Sequence, residues 1–179
     1  MSIRLILGGA RSGKTHYAEQ LAGMLEKTVT YVATANAHHA TADKDAELQA
    51  RIAAHKNARP AHWSTMECPL VLAATLTSGD AADQVQLVDC LTMWITNLLC
   101  HEDPQQLNQE KQALLDCLPA LQGDVIFVSN EVSLGVIPMG ELTRRYVDEA
   151  GVLHQAIASL ADEVVLVAAG LPLFLKQSV

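Results

Sequence analysis

The sequence predicts an α/β fold of the P-loop NTPase type, a largely parallel doubly wound sheet flanked by helices. Three observations carry that reading. A Gly-rich stretch, Gly8, Gly9, Ala10, Arg11, Ser12, Gly13, Lys14 and Thr15, joins an apolar run to a helical one. Short aliphatic runs then alternate with longer stretches of helical periodicity, the pattern of parallel strands connected by helices. The runs are continuously apolar rather than alternating, which implies burial on both faces of the sheet.

Taken in order, the runs at 3–7, 29–33, 85–88, 125–128 and 164–167 read as strands. The stretches at 16–26, 43–57, 70–77, 91–99, 108–121 and 141–160 read as the helices between them. Loops are marked by Ser78-Gly79-Asp80, by Pro104 with its polar neighbours, and by the segment from Gly135 to Gly140. There is no internal repeat or linker, and 179 residues suit one domain, 1–179, with a sizeable core.

Composition narrows the function classes. Half the residues are hydrophobic and 18% are charged, which excludes a disordered chain. The formal charge is −8 and the longest basic cluster is Arg144-Arg145, which argues against a nucleic-acid partner. No stretch reaches the roughly 18 apolar residues of a membrane span, and the run at 3–7 is too short for a signal peptide. Cys68, Cys90, Cys100 and Cys117 lack metal-site spacing and read as small apolar residues in a reducing cytoplasm.

The Gly8 to Thr15 stretch has the spacing of a phosphate-binding loop. Successive backbone N–H groups surround di- and triphosphate oxygens, Lys14 reaches the β- and γ-phosphates, and the Thr15 hydroxyl is placed to hold Mg²⁺. A helix N-terminus directly behind it adds unsatisfied donors and a positive dipole end. Ligands of such sheets bind outside the carboxyl ends of the strands. Those ends carry Ala33-Thr34-Ala35, Asp89-Cys90, Ser129-Asn130-Glu131 and Ala168-Ala169-Gly170.

Asp89 suits two roles, the metal or nucleotide carboxylate such enzymes need and the cap of the helix starting at Leu91. Gln86 interrupts its apolar strand. Glu131 is the second carboxylate candidate. Glu47, Arg51 and His55 share one face of the helix at 43–57, with Lys56, Asn57, Ala58 and Arg59 at its end before Pro60. From residue chemistry alone His55 is either a nucleophile kept neutral by adjacent cations or an ordinary surface imidazole. His38-His39 with Asp43 and Asp45 match no known metal-site spacing and read as a polar loop. Trp63, Met93 and Trp94 read as packing residues.

Several stretches together resemble one family, the bifunctional adenosylcobinamide kinase / adenosylcobinamide-phosphate guanylyltransferases. They are the Gly8 to Thr15 loop followed by Ala18-Glu19, Tyr31-Val32-Ala33-Thr34-Ala35, and Arg51-Ile52-Ala53-Ala54-His55-Lys56 with Arg59-Pro60. Trp63-Ser64-Thr65-Met66-Glu67, Asp89-Cys90-Leu91-Thr92, Asn97-Leu98-Leu99 and Ser129-Asn130-Glu131-Val132 with Gly135-Val136-Ile137-Pro138 complete the set. The resemblance spans essentially the whole chain, and the string from His55 to Glu67 is its most specific part.

The resemblance implies a RecA-like fold, a trimer and two reactions. A nucleoside triphosphate, ATP or GTP, phosphorylates adenosylcobinamide, and GMP then passes from GTP to the phosphate through a guanylylated histidine. His55 matches that histidine, with a lone Ala54-His55 where some relatives have paired histidines. By the same matching Ala33, Thr34, Ala35, Lys56 through Arg59, Glu67 and Asp89 fall where the family contacts GTP. Two other readings fit a phosphate-binding loop: a small-molecule kinase without guanylyl transfer, and a non-catalytic RecA-like NTP-binding module.

Overall fold

The computed structural model describes residues 1–35 and 60–177. In chain order these form β1 (Ile3–Gly8), α1 (Lys14–Met24), β2 (Thr28–Ala33), β3 (Ser64–Glu67), α2 (Leu72–Ser78) and β4 (Gln84–Asp89). There follow α3 (Leu91–Leu99), α4 (Gln106–Cys117), a 3-10 turn (Leu118–Ala120), β5 (Asp124–Asn130), α5 (Glu141–Leu160), β6 (Glu163–Ala168) and β7 (Leu171–Gln177). The expected helix at 43–57 lies outside the described residues.

The strands make one seven-stranded sheet in the order β3-β2-β4-β5-β1-β6-β7. All pairings are parallel except that of β6 with β7. Both faces of the five inner strands are buried, as their continuous apolar runs require. Ile3, Leu5, Leu7, Val88, Val125 and Phe127 point into a core with residues of α2, α3, α4 and α5, including Leu76, Trp94, Leu114 and Leu153. Ile6, Val85, Leu87, Ile126 and Val128 point the other way, onto Ala18 and Ala22 of α1. Alternate residues of each strand thus serve opposite cores, because successive side chains leave a strand on opposite faces. Truncating fully buried Phe127 to Ala would cost about 3–5 kcal/mol.

Gln86, the polar residue in an otherwise apolar strand, is 2% exposed and donates from Nε2 to the Leu76 carbonyl at 2.9 Å. It satisfies a carbonyl of the last turn of α2, which has no partner within its own helix. Trp94 is fully buried and donates from Nε1 to the Leu70 carbonyl at 2.6 Å. Trp63 packs half-buried against the α1-side core.

Several element bounds shift by one or two residues, as in α2, which runs Leu72–Ser78 where 70–77 was expected, and three further differences have a physical reason. The helix expected at 16–26 begins two residues earlier, at Lys14, because Gly13 in the left-handed region (φ 96°) ends the loop there. The helix expected at 108–121 is α4 followed by the separate turn at Pro119. Strands β3 and β7, both exposed throughout, were not expected: β3 has no apolar run, and in β7 Pro172 interrupts the apolar stretch from Leu171 to Leu175. A two-residue hairpin joins β6 to β7 with Ala169 (φ 52°) and Gly170 (φ 80°) both left-handed, the backbone that suits the twist of the flanking strands.

Candidate active site

The carboxyl ends of the parallel strands lie along one edge of the sheet. Register puts Glu67 level with Ala33, and Ala33 level with Asp89, on the adjacent strands β3, β2 and β4. On the next pair Asn130 lies level with Gly8. Four sequence-predicted groups therefore share this edge: the loop from Gly8 to Thr15, Ala33-Thr34-Ala35, Glu67 and Asp89. His55, Lys56, Asn57, Ala58 and Arg59 lie outside the described residues.

The loop is shaped by its glycines. A Cβ on Gly8 would sit 2.4 Å from Ser12 Oγ and 2.6 Å from the Val167 carbonyl oxygen, so only Gly fits where β1 turns over. Ser12 N–H donates to the Gly9 carbonyl at 3.2 Å, and Tyr17 N–H to the Gly13 carbonyl at 2.9 Å. Arg11 is left-handed at φ 57°. Lys14 Nζ donates to the Gly9 carbonyl at 3.1 Å, which folds its ammonium back across the loop. Gly9, Ala10, Arg11 and Gly13 are exposed, and Thr15 opens the first turn of α1, half-buried.

Two neighbours brace this loop, and neither was legible in the motif. Gly170 N–H, in the β6–β7 turn, donates to the Ser12 carbonyl at 2.8 Å, and a Cβ on Gly13 would lie 3.2 Å from Gly170 Cα. Glu131 N–H donates to the Gly8 carbonyl at 3.0 Å. The signal in the sequence was position alone, since both residues follow strand ends.

Asp89 lies on the α1 side of the sheet, in step with Val85 and Leu87. Tyr31 Oη donates to its Oδ2 at 2.6 Å, which fixes the carboxylate plane. Next to it, burial and the Asp89 carboxylate push the Cys90 thiol up to about 11. Thr34 is fully buried, and its hydroxyl both donates to the Cys90 carbonyl at 2.7 Å and accepts from Cys90 N–H at 2.8 Å. Its own N–H donates to the Asp89 carbonyl at 3.3 Å, and its carbonyl accepts from Asn97 Nδ2 at 2.8 Å. Thr34 thus clamps the ends of β2 and β4 together, and Ala33 and Ala35 flank that clamp.

The hydroxyl of Thr15 and the carboxylate of Asp89 are hard oxygen donors, the set that suits Mg²⁺ shared with phosphate oxygens. Tyr31 bonds one Asp89 oxygen and so orients the other, an arrangement that fits an ion at this edge.

Comparison with known proteins decides the family. The family description "Cobinamide kinase / cobinamide phosphate guanyltransferase" matches residues 4–175. The chain belongs to that family. It is 57% identical over 172 residues to the bifunctional adenosylcobalamin biosynthesis protein CobP of Pseudomonas aeruginosa, covering 96% of each chain. It is 38% identical to the bifunctional adenosylcobalamin biosynthesis protein CobU of Salmonella typhimurium, covering 96% of this chain and 98% of that one. The cobinamide kinase / guanyltransferase family comprises transferases, and this chain is one of them.

Solved structures agree on the fold. The RadB recombinase superimposes with a TM-score of 0.50 at 15% identity, over 92% of this chain and 73% of that one. A Pyrococcus horikoshii protein does so with a TM-score of 0.56 at 5% identity, over 98% and 86%. The fold of this cobinamide kinase / guanyltransferase is therefore the RecA-like P-loop NTPase fold.

Proposed function

We propose that this chain catalyses two successive transfers at phosphorus. ATP or GTP phosphorylates adenosylcobinamide, and GMP then passes from GTP to adenosylcobinamide phosphate through a guanylylated His55, giving adenosylcobinamide-GDP and pyrophosphate. The observation that carries this is a braced phosphate loop, Gly8 to Thr15, in a chain matched to the family from residue 4 to 175.

In the first transfer the loop N–H groups and Lys14 stabilise charge on the phosphoryl group while the acceptor hydroxyl attacks. Thr15 and Asp89 would hold Mg²⁺, which supplies further neutralisation of phosphate charge when bound. In the second, neutral His55 attacks the α-phosphorus, pyrophosphate departs from the loop, and Lys56 and Arg59 neutralise oxygens. Ala33, Thr34, Ala35, Asn57, Ala58 and Glu67 complete the nucleotide site. Of these, Thr34 contributes by holding β2 to β4, since its hydroxyl, N–H and carbonyl are already bonded.

The same reading makes the protein a single catalytic domain, a homotrimer, and cytoplasmic. Support for assembly comes from exposed apolar side chains on β7, including Leu171, Leu173 and Leu175. Four free cysteines suit a reducing compartment, and among the described residues no helix is long and apolar enough to cross a membrane.

Intact-mass measurement after incubation with GTP and Mg²⁺ tests the proposal. One GMP adduct is expected on the wild type and none on His55→Ala. An adduct that persists in His55→Ala removes the assignment of the nucleophile. Phosphorylation of adenosylcobinamide without any adduct would leave a small-molecule kinase.

A further inference from the structure

Just past β5 the fold places a carboxylate for which neither the phosphate loop nor guanylyl transfer has a use. Glu131 is tied to the loop through its N–H on the Gly8 carbonyl at 3.0 Å. Alternation along β5 sends Ser129 to the face packed by α5, in step with Val125 and Phe127, and the Glu131 side chain reaches the same α5 face. Asp89, on the neighbouring strand, lies on the other face with Tyr31. The sheet edge beside the loop thus carries two carboxylates on opposite sides.

The Glu131 carboxylate is held but not neutralised. Ser133 donates to its Oε1 from both its N–H, at 2.6 Å, and its hydroxyl. The other oxygen, Oε2, faces His154 Nδ1 of α5 at 4.0 Å, beyond hydrogen-bond length. His154 is itself fixed by Nε2 against Ser129 Oγ at 2.8 Å. Burial keeps this imidazole below its ordinary pKa despite the carboxylate beside it, so it is neutral at neutral pH. A cavity of about 300 Å³, lined by Val132, Ser133, Ile137, Arg144 and Asp148 among others, opens directly alongside. The Glu131 backbone thus touches the phosphate loop, while the next two residues, Val132 and Ser133, line a space able to admit an acceptor group.

We propose that Glu131 is the general base of the phosphoryl-transfer step, with Ser133 as its positioning residue. The proposal rests on the kinase reading above. The acceptor oxygen bonds to the γ-phosphorus as the bond from that phosphorus to the β,γ-bridging oxygen breaks. The bridging electron pair leaves with the nucleoside diphosphate. The hydroxyl proton passes to Glu131 Oε2 and from there to solvent. An aspartate does the equivalent work in protein kinases. Guanylyl transfer makes no such demand, because its acceptor is already a phosphate oxyanion with no proton to lose.

That difference supplies the test. Glu131→Gln keeps the shape of the side chain and removes its basicity. Kinase kcat on adenosylcobinamide is expected to fall about 10²- to 10⁴-fold, the usual worth of a positioned base. KM for the nucleotide is expected to stay within about twofold, because the residue touches no phosphate in the ground state. GMP adduct formation, and GMP transfer to preformed adenosylcobinamide phosphate, are expected to stay at the wild-type level. Formate added to Glu131→Ala restores part of the kinase rate, and Ser133→Ala, which loses the hydroxyl bond to Oε1, lowers kcat about tenfold with KM unchanged.

Wild-type kinase activity in Glu131→Gln overturns the proposal. So does a parallel loss of all three activities, which would mark the residue as structural. A wild-type protein that forms the GMP adduct but phosphorylates nothing overturns the kinase reading itself, a result visible before any variant is made.

Discussion

Lys14 and Asp89 reach the same carboxyl edge of the sheet from different elements, and each has a consequence of its own. Lys14 Nζ rests on the Gly9 carbonyl at 3.1 Å, a contact that an incoming β- or γ-phosphate would replace with a stronger charge-assisted one in the proposed site. If one triphosphate site serves both transfers, Lys14→Ala lowers both the kinase rate and the GMP adduct yield by at least about tenfold. A variant that loses only one of them requires two sites. Asp89→Asn is expected to raise the Mg²⁺ concentration needed for half-maximal rate about tenfold or more, with a smaller rise in Tyr31→Phe, which loses the orienting bond and keeps the carboxylate. The neighbouring thiol reports on burial at this edge. With Cys90 pushed up to about 11, its thiolate fraction at pH 8 is about 10⁻³, so exposed Cys100 is alkylated first.

At the scale of elements, the five strands buried on both faces were legible because their apolar runs are continuous, and α3 and α5 were legible to the residue. What escaped was the pair of exposed strands at the two edges of the sheet: β3 is short and lacks an apolar run, and in β7 Pro172 breaks the stretch from Leu171 to Leu175. With β7 went the hairpin turn that supports the phosphate loop. The loop was readable as a motif, but its bracing depends on distant residues that meet only in the fold. Gly170→Ala tests the turn: the site is open, so the cost is the left-handed backbone, about 1–2 kcal/mol, read as a Tm lowered by about 2–8 °C. Gly8→Ala is the opposite case. Its Cβ meets a backbone oxygen at 2.6 Å, and nucleotide affinity rather than stability alone is expected to collapse.

The contact of α5 with β5 was likewise hidden, since nothing local links His154 to Ser129 and Glu131 across more than twenty residues. It has a pH signature. Burial lowers the His154 pKa in the folded state below its unfolded value of about 6.5, while Glu131 pulls the other way more weakly. The unfolded chain therefore binds the proton more readily. Stability is complete above about pH 6.5 and declines as pH falls through that value towards the lower folded one. Tm is expected to drop over this window in the wild type, and His154→Gln is expected to flatten that part of the curve.

At the scale of the whole molecule, the distribution of exposed apolar surface calls for a partner. Leu171, Leu173, Phe174 and Leu175 of β7 are 72%, 58%, 43% and 56% exposed, and they cluster on one edge strand instead of scattering singly. The segment past β5 adds Leu134, Val136, Ile137 and Met139, all at least 80% exposed. An apolar edge strand with unpaired backbone groups is an aggregation hazard unless another surface covers it. A net charge of −8 keeps copies from associating indiscriminately, so a defined interface is the arrangement that reconciles the two. A second copy of the chain is the occupant that fits the β7 edge, and the trimer proposed above would bury that edge on each copy. Light scattering at micromolar protein is expected to return a mass near three times 19.2 kDa. Leu173→Glu places a charge in the middle of that edge, and the mass is expected to fall towards one subunit with the monomer still folded. A wild-type mass of one subunit at these concentrations would refute the assembly and leave the apolar edge to a different protein.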